Sequence, residues 1–134
     1  MNNPHLNILA QLAKVDGHAD DSELKVIRTV GASKNISDVE IERAIEEADS
    51  STPLPSLEAM EKEEKMELLY NLALVMKADG IIHKEEMKFC LGVIKKLGFD
   101  DNVLFELLSN AVVNQEETID HDLLIRNAEK YYTG

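Results

Sequence analysis

The sequence predicts an all-α protein, a single-domain bundle of about seven helices with an internal duplication. Apolar residues recur every three or four positions through most of the chain, which is the period of an amphipathic helix. The alternation of apolar and polar residues that is typical of β-strands is absent. The chain also matches itself when it is shifted by 63 residues, which indicates a repeated unit.

The composition is that of one globular domain spanning residues 1–134. A chain of 134 residues buries roughly two-thirds of the surface that its unfolded form exposes, so a packed core needs neither disulfides nor a structural metal. Hydrophobic residues make up 44% of the chain and aromatic residues only 4%, so we expect an aliphatic core. The single cysteine, Cys90, lies among apolar residues and is expected to be a buried thiol in a cytoplasmic protein.

The charge of the chain is strongly negative. With 26 acidic against 14 basic residues, the formal net charge is −12 at pH 7. DNA, RNA and anionic membranes are therefore poor candidate partners, because binding to them depends on Lys and Arg. The N-terminus lacks the pattern of a secretory signal, and no apolar stretch approaches the roughly 20 residues of a membrane-spanning helix. These features predict a cytoplasmic protein without membrane insertion, whose charge suits a cation or a basic patch on a partner protein.

Three helices are predicted in the first 49 residues. The apolar period indicates helices over residues 5–15, 20–35 and 37–49. Asp20 followed by Glu23 has the form of a capping box, in which each side chain accepts a hydrogen bond from a backbone amide of the first turn. Ser37 followed by Glu40 repeats this pattern and predicts the start of the third helix.

The second half of the chain begins after a linker at residues 50–55, where two prolines interrupt any helix. One long or two consecutive helices are then predicted over residues 57–78, and further helices over residues 83–97, 100–111 and 120–131. Gly98 is expected to end the helix before it, since glycine readily adopts the left-handed conformation that closes helices.

The repeat places one motif in both halves of the chain. Asp16 aligns with Asp79, each is followed by glycine, and the glutamates seven residues later, Glu23 and Glu86, also align. The repeat units extend over about residues 5–49 and 68–114. Each unit contains a helix, an Asp-Gly turn and two further helices, and we expect the units to pack face to face about an approximate two-fold axis.

The Asp-Gly turns are the candidate functional feature. An aspartate at the end of a helix is unfavourable beside the negative end of the helix dipole, so its presence at both turns suggests a specific partner for the carboxylate. In one interpretation the partners are backbone amides, and the following glutamate caps the next helix. In the other, carboxylates of both turns converge on a divalent cation, Ca²⁺ or Mg²⁺, because these ions prefer oxygen ligands. The candidate metal ligands are Asp16, Glu23, Asp79 and Glu86, with Asp20 and His83 as additional ligands.

A calcium loop of the EF-hand type is disfavoured. The segment 79–86 matches the second half of such a loop. The first half requires oxygen ligands where the sequence has Val75 and Lys77, and the equivalent residues of the first unit are Leu12 and Lys14. Any cation must therefore be held by carboxylates from separate segments.

Two segments around these turns resemble the TerB-like family. They are residues 72–86, LALVMKADGIIHKEE, and residues 13–23, AKVDGHADDSE. The family includes tellurite-resistance TerB proteins and the N-terminal domain of membrane-anchored DnaJ-like co-chaperones. The resemblance covers about residues 5–132 and implies a compact, duplicated helical bundle. It also implies that the acidic residues bind metal or recognise a partner in stress responses.

No complete catalytic constellation is present. The chain has no Gly-rich phosphate loop, no Gly-x-Ser-x-Gly elbow and no zinc-type cluster, so neither a catalytic nor a cofactor-binding residue is assigned. His5, His18 and His121 stand apart in the sequence and are expected to be solvent-exposed or capping residues. The mixed charges of residues 58–65 are expected to form a solvated helix face.

The expected function is that of a non-enzymatic TerB-like helical module, related to stress or tellurite resistance. It acts by protein interaction, and divalent-cation binding at the acidic turns is a candidate second property. Two alternatives stay open. One is a plain interaction scaffold whose Asp-Gly turns are purely structural, and the other is an enzyme that uses paired carboxylates.

Overall fold

The computed structural model describes residues 4–15, 20–49, 54, 57–78, 83–112 and 121–133, with the backbone alone for residues 110–112. Within these ranges the chain forms seven α-helices and no β-strand. The helices are α1 Pro4–Lys14, α2 Asp21–Ser33, α3 Asp38–Glu47, α4 Lys62–Ala78, α5 Lys84–Leu97, α6 Val103–Val112 and α7 His121–Glu129. The predicted all-α class is therefore confirmed.

Helices α1 and α4 form the centre of the bundle. Helix α1 contacts α2, α3, α4 and α5, and α4 contacts α1, α2, α5, α6 and α7. Leu9 and Leu12 of α1 and Leu69, Leu72 and Met76 of α4 have no solvent exposure. Because α4 is apolar around most of its circumference, it suits a position that is enclosed by other helices. The core is aliphatic, as the composition predicts.

The two helix triplets make equivalent contacts. Helix α1 packs against α2 and α3 as α4 packs against α5 and α6, and each central helix also contacts the second helix of the other triplet. This pattern is the one expected of two repeat units that pack about an approximate two-fold axis. The duplication itself stays a prediction from the sequence. Helix α7 is additional to the two triplets and packs on α4 and α6.

Local signals set most helix ends at the predicted positions. Ser37 Oγ accepts a hydrogen bond from the Glu40 amide at 3.3 Å, and α3 begins at the next residue. Gly98 closes α5 with a φ of 87°, in the left-handed region. The helix predicted over residues 57–78 begins only at Lys62, because residues 58–60 form a turn. The predicted linker at residues 50–55 lies outside the described residues except for Leu54.

The helical glycines Gly31 and Gly92 are expected to respond oppositely to alanine. A Cβ added at Gly31 of α2 would lie 2.7 Å from Cδ1 and Cγ1 of the buried Ile41. A Cβ added at Gly92 of α5 would meet Leu54 Cδ1 at an ordinary 3.7 Å. Alanine is the better helix former by about 1 kcal/mol, so Gly92→Ala should raise the free energy of unfolding by up to this amount. At Gly31 the cost of overpacking, about 1–3 kcal/mol, should outweigh that gain.

Urea unfolding of the wild type and both variants shows whether each substitution raises or lowers the free energy of unfolding. Each variant serves as the control for the other, because both change a helical glycine to alanine. A stabilised Gly31→Ala variant would contradict the close packing of α2 on α3.

Candidate functional site

The predicted metal ligands belong to the two Asp-Gly motifs and to the helix starts that follow them in the sequence. Asp16 and Asp79 lie outside the described residues, so their convergence stays a prediction. The other four predicted ligands are described, and they are Asp20, Glu23, His83 and Glu86.

After the first Asp-Gly motif, Asp20 and Glu23 form the predicted capping box at the start of α2. The Asp20 amide donates to Glu23 Oε1 at 3.2 Å, and the Ser22 amide donates to Asp20 Oδ1 at 3.3 Å. Carboxylates at this position also suit the positive end of the helix dipole. Glu23 is only 3% exposed, although ionised side chains are rarely buried to this degree. The first turn of α2 therefore contains a buried carboxylate.

The start of α5 repeats this arrangement. The His83 amide donates to Glu86 Oε1 at 3.0 Å, and Glu86 is 1% exposed. His83 occupies the place that Asp20 has in the first unit. In both units, therefore, a buried glutamate in the first turn of a helix follows an Asp-Gly turn.

Over the described residues, the starts of α2 and α5 do not form one cluster. Helices α2 and α5 each pack against α1 and α4, and over the described ranges no contact connects α2 with α5. In the same part of the chain, no group of three or more His, Cys, Asp or Glu side chains could hold a metal ion. A shared cation site would therefore depend on Asp16 and Asp79, which belong to the turns themselves.

A separate feature, which the sequence reasoning missed, is a cavity beside the starts of α1 and α4. We call it the α1–α4 cavity, and its volume is about 790 Å³. Four apolar residues, one histidine and four glutamates line it: Pro4, Leu57, Ala59, Met60, His5, Glu61, Glu63, Glu64 and Glu67. The cavity thus combines an apolar wall with an acidic one.

His5 is the buried polar residue of this cavity, with 1% of its surface exposed. Its Nε2 lies 2.8 Å from Asn71 Nδ2, so Asn71 holds the ring in place. Its Nδ1 has no hydrogen-bond partner in the part of the chain that the structure describes. The closest carboxylate oxygen, Glu64 Oε2, is 3.5 Å away, which is too long for a good N–H···O hydrogen bond. Burial, with a smaller contribution from Lys34, lowers the pKa of His5 to about 4, so the ring is neutral at pH 7.

Ion pairs connect the acidic wall of the cavity to neighbouring elements. Lys34 Nζ donates to both carboxylate oxygens of Glu64, at 2.9 and 3.0 Å. Glu67 pairs with Nε2 of His121 at 2.5 Å. A hydrogen bond to Asp122 raises the pKa of His121, and the bond to Glu67 raises it further. Since the cavity has four glutamates and only Lys34 as a permanent positive neighbour among these contacts, its field is negative.

One expectation from the sequence is wrong, and another holds except at one residue. His5 is neither solvent-exposed nor a capping residue, because it lies on the face of α1 that packs on α4. Its spacing from Leu9 and Leu12 places it on their face of the helix, and this spacing is the signal that identifies it. Residues 58–65 are mainly exposed, as expected, except that Lys65 is 8% exposed and its Nζ lies 3.3 Å from the Tyr132 hydroxyl.

Cys90 is a buried thiol, as the sequence predicts. The thiol is fully buried, 3.6 Å from Met76 Sδ, and burial raises its pKa. A thiol in this state is a poor nucleophile and a poor metal ligand, because the thiolate is the reactive form.

Over the described ranges, none of the helices is long and apolar enough to cross a membrane. In comparisons with known proteins, the chain matches no family model, no curated protein and no solved structure. The resemblance to the TerB-like family therefore stays a prediction that rests on residues 13–23 and 72–86.

Proposed function

We propose that the chain is a non-enzymatic TerB-like helical module that binds a partner protein, and that a divalent cation at the Asp-Gly turns controls this binding. The observation that carries the proposal is the burial of Glu23 and Glu86, at 3% and 1% exposure, in the same position of α2 and α5. Each of these glutamates follows an Asp-Gly turn by a few residues. The starts of α2 and α5 thus share one arrangement of charge, and a cation could bind beside each of them.

Burial makes these carboxylates sensitive to a nearby cation. An ionised carboxylate loses hydration when it is buried, and amide donors or a cation can offset that loss. Glu23 and Glu86 each accept a backbone amide of their own helix start. A cation held by Asp16 or Asp79 would add an attraction between the turn and this buried charge. Cation binding would then stiffen the junction between the turn and the following helix.

The partner is expected to be a basic protein surface. The chain has a net charge of −12, and exposed acidic residues lie in the first turn of three helices, namely Asp21, Asp38 and Glu85. Complementary charge accelerates association and disfavours partners of the wrong sign. A cation that neutralises part of this charge would change both the association rate and its dependence on salt.

Isothermal titration calorimetry with Ca²⁺, Mg²⁺, Mn²⁺ and Zn²⁺ tests the cation. We expect binding of at least one ion, with an affinity that falls about tenfold or more in Asp79→Asn, because an amide lacks the charge of the carboxylate ligand. Asp38→Asn is the matched control, since Asp38 is an exposed residue in the first turn of α3 and belongs to neither Asp-Gly motif. Absence of heat with all four ions, or an equal loss in the control, would refute the cation part.

A plain interaction scaffold is the second candidate function, and the capping contacts favour it. The contacts of Glu23 with the Asp20 amide and of Glu86 with the His83 amide also explain both glutamates as helix-start residues. In this case Asp16→Asn and Asp79→Asn lower the melting temperature by the same amount with and without divalent cations. A bound cation instead raises the melting temperature of the wild type, and the variants lose this increment. Thermal unfolding with the cation and with a chelator distinguishes the two functions.

A further inference from the structure

Helix α7 is joined to α4 by an ion pair at each of its ends. At the start of α7, His121 Nε2 pairs with Glu67 Oε1 at 2.5 Å. At its end, Glu129 Oε1 pairs with Lys62 Nζ at 2.8 Å. Of these groups, only the imidazole changes its charge near neutral pH. We propose that His121 makes α7 a pH-sensitive lid, whose first turn stays on α4 while the imidazole is protonated and lifts from α4 when the proton is lost.

The geometry around His121 favours a protonated ring. Nδ1 lies 3.1 Å from Asp122 Oδ1 and Nε2 lies 2.5 Å from Glu67 Oε1, so each ring nitrogen faces a carboxylate oxygen. A neutral imidazole has one N–H donor and one lone pair, and the lone pair is repelled by an ionised carboxylate. The protonated ring donates to both carboxylates, and such charge-assisted bonds are about twice as strong as neutral ones. Loss of the proton therefore removes one hydrogen bond and weakens the other.

The ionisable groups in contact with this ring come from α4 and from α7 itself. Helix α4 contributes Glu67 and Tyr70, whose ring meets the imidazole edge-on at 4.6 Å, and α7 contributes Asp122. Helix α6 also packs against α7, but its Glu106 accepts a hydrogen bond from Asn127, toward the other end of α7. The bond to Asp122, with a further contribution from Glu67, raises the pKa of the imidazole. The closed lid is therefore fully stabilised below pH 6.5, and this contribution is lost as the pH rises through the raised pKa.

The chain after α7 is held in place independently of pH, which makes this end of the helix the hinge. The Asp100 amide donates to the Tyr131 carbonyl oxygen at 2.7 Å, and the Thr133 amide donates to the Gly98 carbonyl oxygen at 2.7 Å. Backbone groups do not titrate near neutral pH, so this attachment stays when the imidazole loses its proton. Because Leu124 in the first turns of α7 is fully buried, the open lid is a minority state, and the histidine sets its population.

The lid covers a cavity between α4 and α7 with a volume of about 310 Å³. Met66 and Ile125 form its apolar lining, and the groups of both ion pairs that hold α7, except the histidine, also line it. Lifting the start of α7 would widen this cavity beside Glu67 and expose its apolar lining to solvent. A change of pH near neutrality would thus control access to an apolar surface.

Amide hydrogen exchange of the full chain, measured by NMR between pH 5.5 and pH 8.5, tests the lid. After correction for intrinsic exchange, the opening constants of the α7 amides should rise about two- to fivefold relative to those of α3, because half-exposed ion pairs stabilise modestly. The rise should follow the ring ¹⁵N titration of His121. Glu67→Gln keeps an acceptor without charge and should remove most of the rise. Lys62→Gln is the matched control, because it breaks the ion pair at the other end of α7, which does not titrate in this range. It should increase opening by the same factor at every pH and keep the rise.

Three results would overturn the proposal. The first is a wild type in which the opening constants of α7 and α3 change equally with pH, since the whole fold would then loosen together. The second is a rise that persists in full in Glu67→Gln, and the third is a rise whose midpoint differs from that of the His121 ring. Since α7 contains none of the predicted metal ligands, a failed cation titration at the Asp-Gly turns leaves this test unaffected.

Discussion

Acidification from pH 6.5 to pH 4 is expected to lower the free energy of unfolding by about 3 kcal/mol through His5 alone. The pKa of His5 is about 4 in the folded protein and returns to its ordinary value of 6.5 on unfolding. Between these values the unfolded chain binds a proton that the folded chain does not. The stability contributed by the neutral ring is therefore complete above pH 6.5 and is lost as the pH falls through this window. The cause is the burial of the ring, to which the positive charge of Lys34 adds.

Urea unfolding of the wild type and of His5→Gln between pH 7.5 and pH 4 measures this effect. Titration of the carboxylates contributes to the pH dependence of both proteins and cancels in their difference. The difference in free energy of unfolding between the wild type and His5→Gln should therefore shrink by about 3 kcal/mol on acidification. The control is His121→Gln, because the pKa of His121 is raised in the folded state. The charged His121 stabilises the protein at low pH and this contribution is lost as the pH rises, so the effect of its removal should grow on acidification. Equal pH dependence of the wild type and His5→Gln would contradict a buried neutral His5.

Leu72→Ala is expected to lower the free energy of unfolding by about 2–5 kcal/mol. Leu72 has no solvent exposure and lies in α4, the helix that contacts α1, α2, α5, α6 and α7. Its replacement removes buried methyl groups and leaves a cavity in a helix that five other helices contact. Since small proteins are stable by only about 5–15 kcal/mol, this one change should remove a large fraction of the total.

Urea unfolding at pH 7.5 measures this loss beside Leu123→Ala, which makes the same chemical change in α7. Leu123 is 46% exposed, so its replacement should cost less than about 1 kcal/mol. A loss for Leu72→Ala as small as that for Leu123→Ala would contradict the central position of α4.

Sequence patterns predict most of the fold because the signals for helix starts and ends are local. The capping box of Asp20 and Glu23, the cap at Ser37 and the stop at Gly98 each act within a few residues. The start of α4 is the exception, since the apolar period continues through residues 57–61 while the backbone forms a turn. Periodicity alone cannot distinguish a helical turn from a compact turn that buries the same side chain, here Leu57 at 2% exposure.

The candidate sites are less predictable, because they depend on which residues meet in space. The spacing of Asp20, Glu23, His83 and Glu86 predicts helix starts, and the hydrogen bonds confirm the two glutamates in that role. The burial of both glutamates is not predictable from that spacing, since a glutamate in a first helical turn commonly faces solvent. Whether Asp16 and Asp79 converge on a cation stays a prediction that the titrations address.

The residue order of this chain suffices for the seven helices and their approximate ends, because each depends on interactions between near neighbours. The burial of His5 and the cavity beside it depend instead on the packing of α1 against α4, whose contacting residues are more than 60 positions apart, as for His5 and Asn71. Burial and pairing of a side chain depend on every helix that packs around it, so tertiary packing alone makes an ordinary-looking histidine neutral and enclosed.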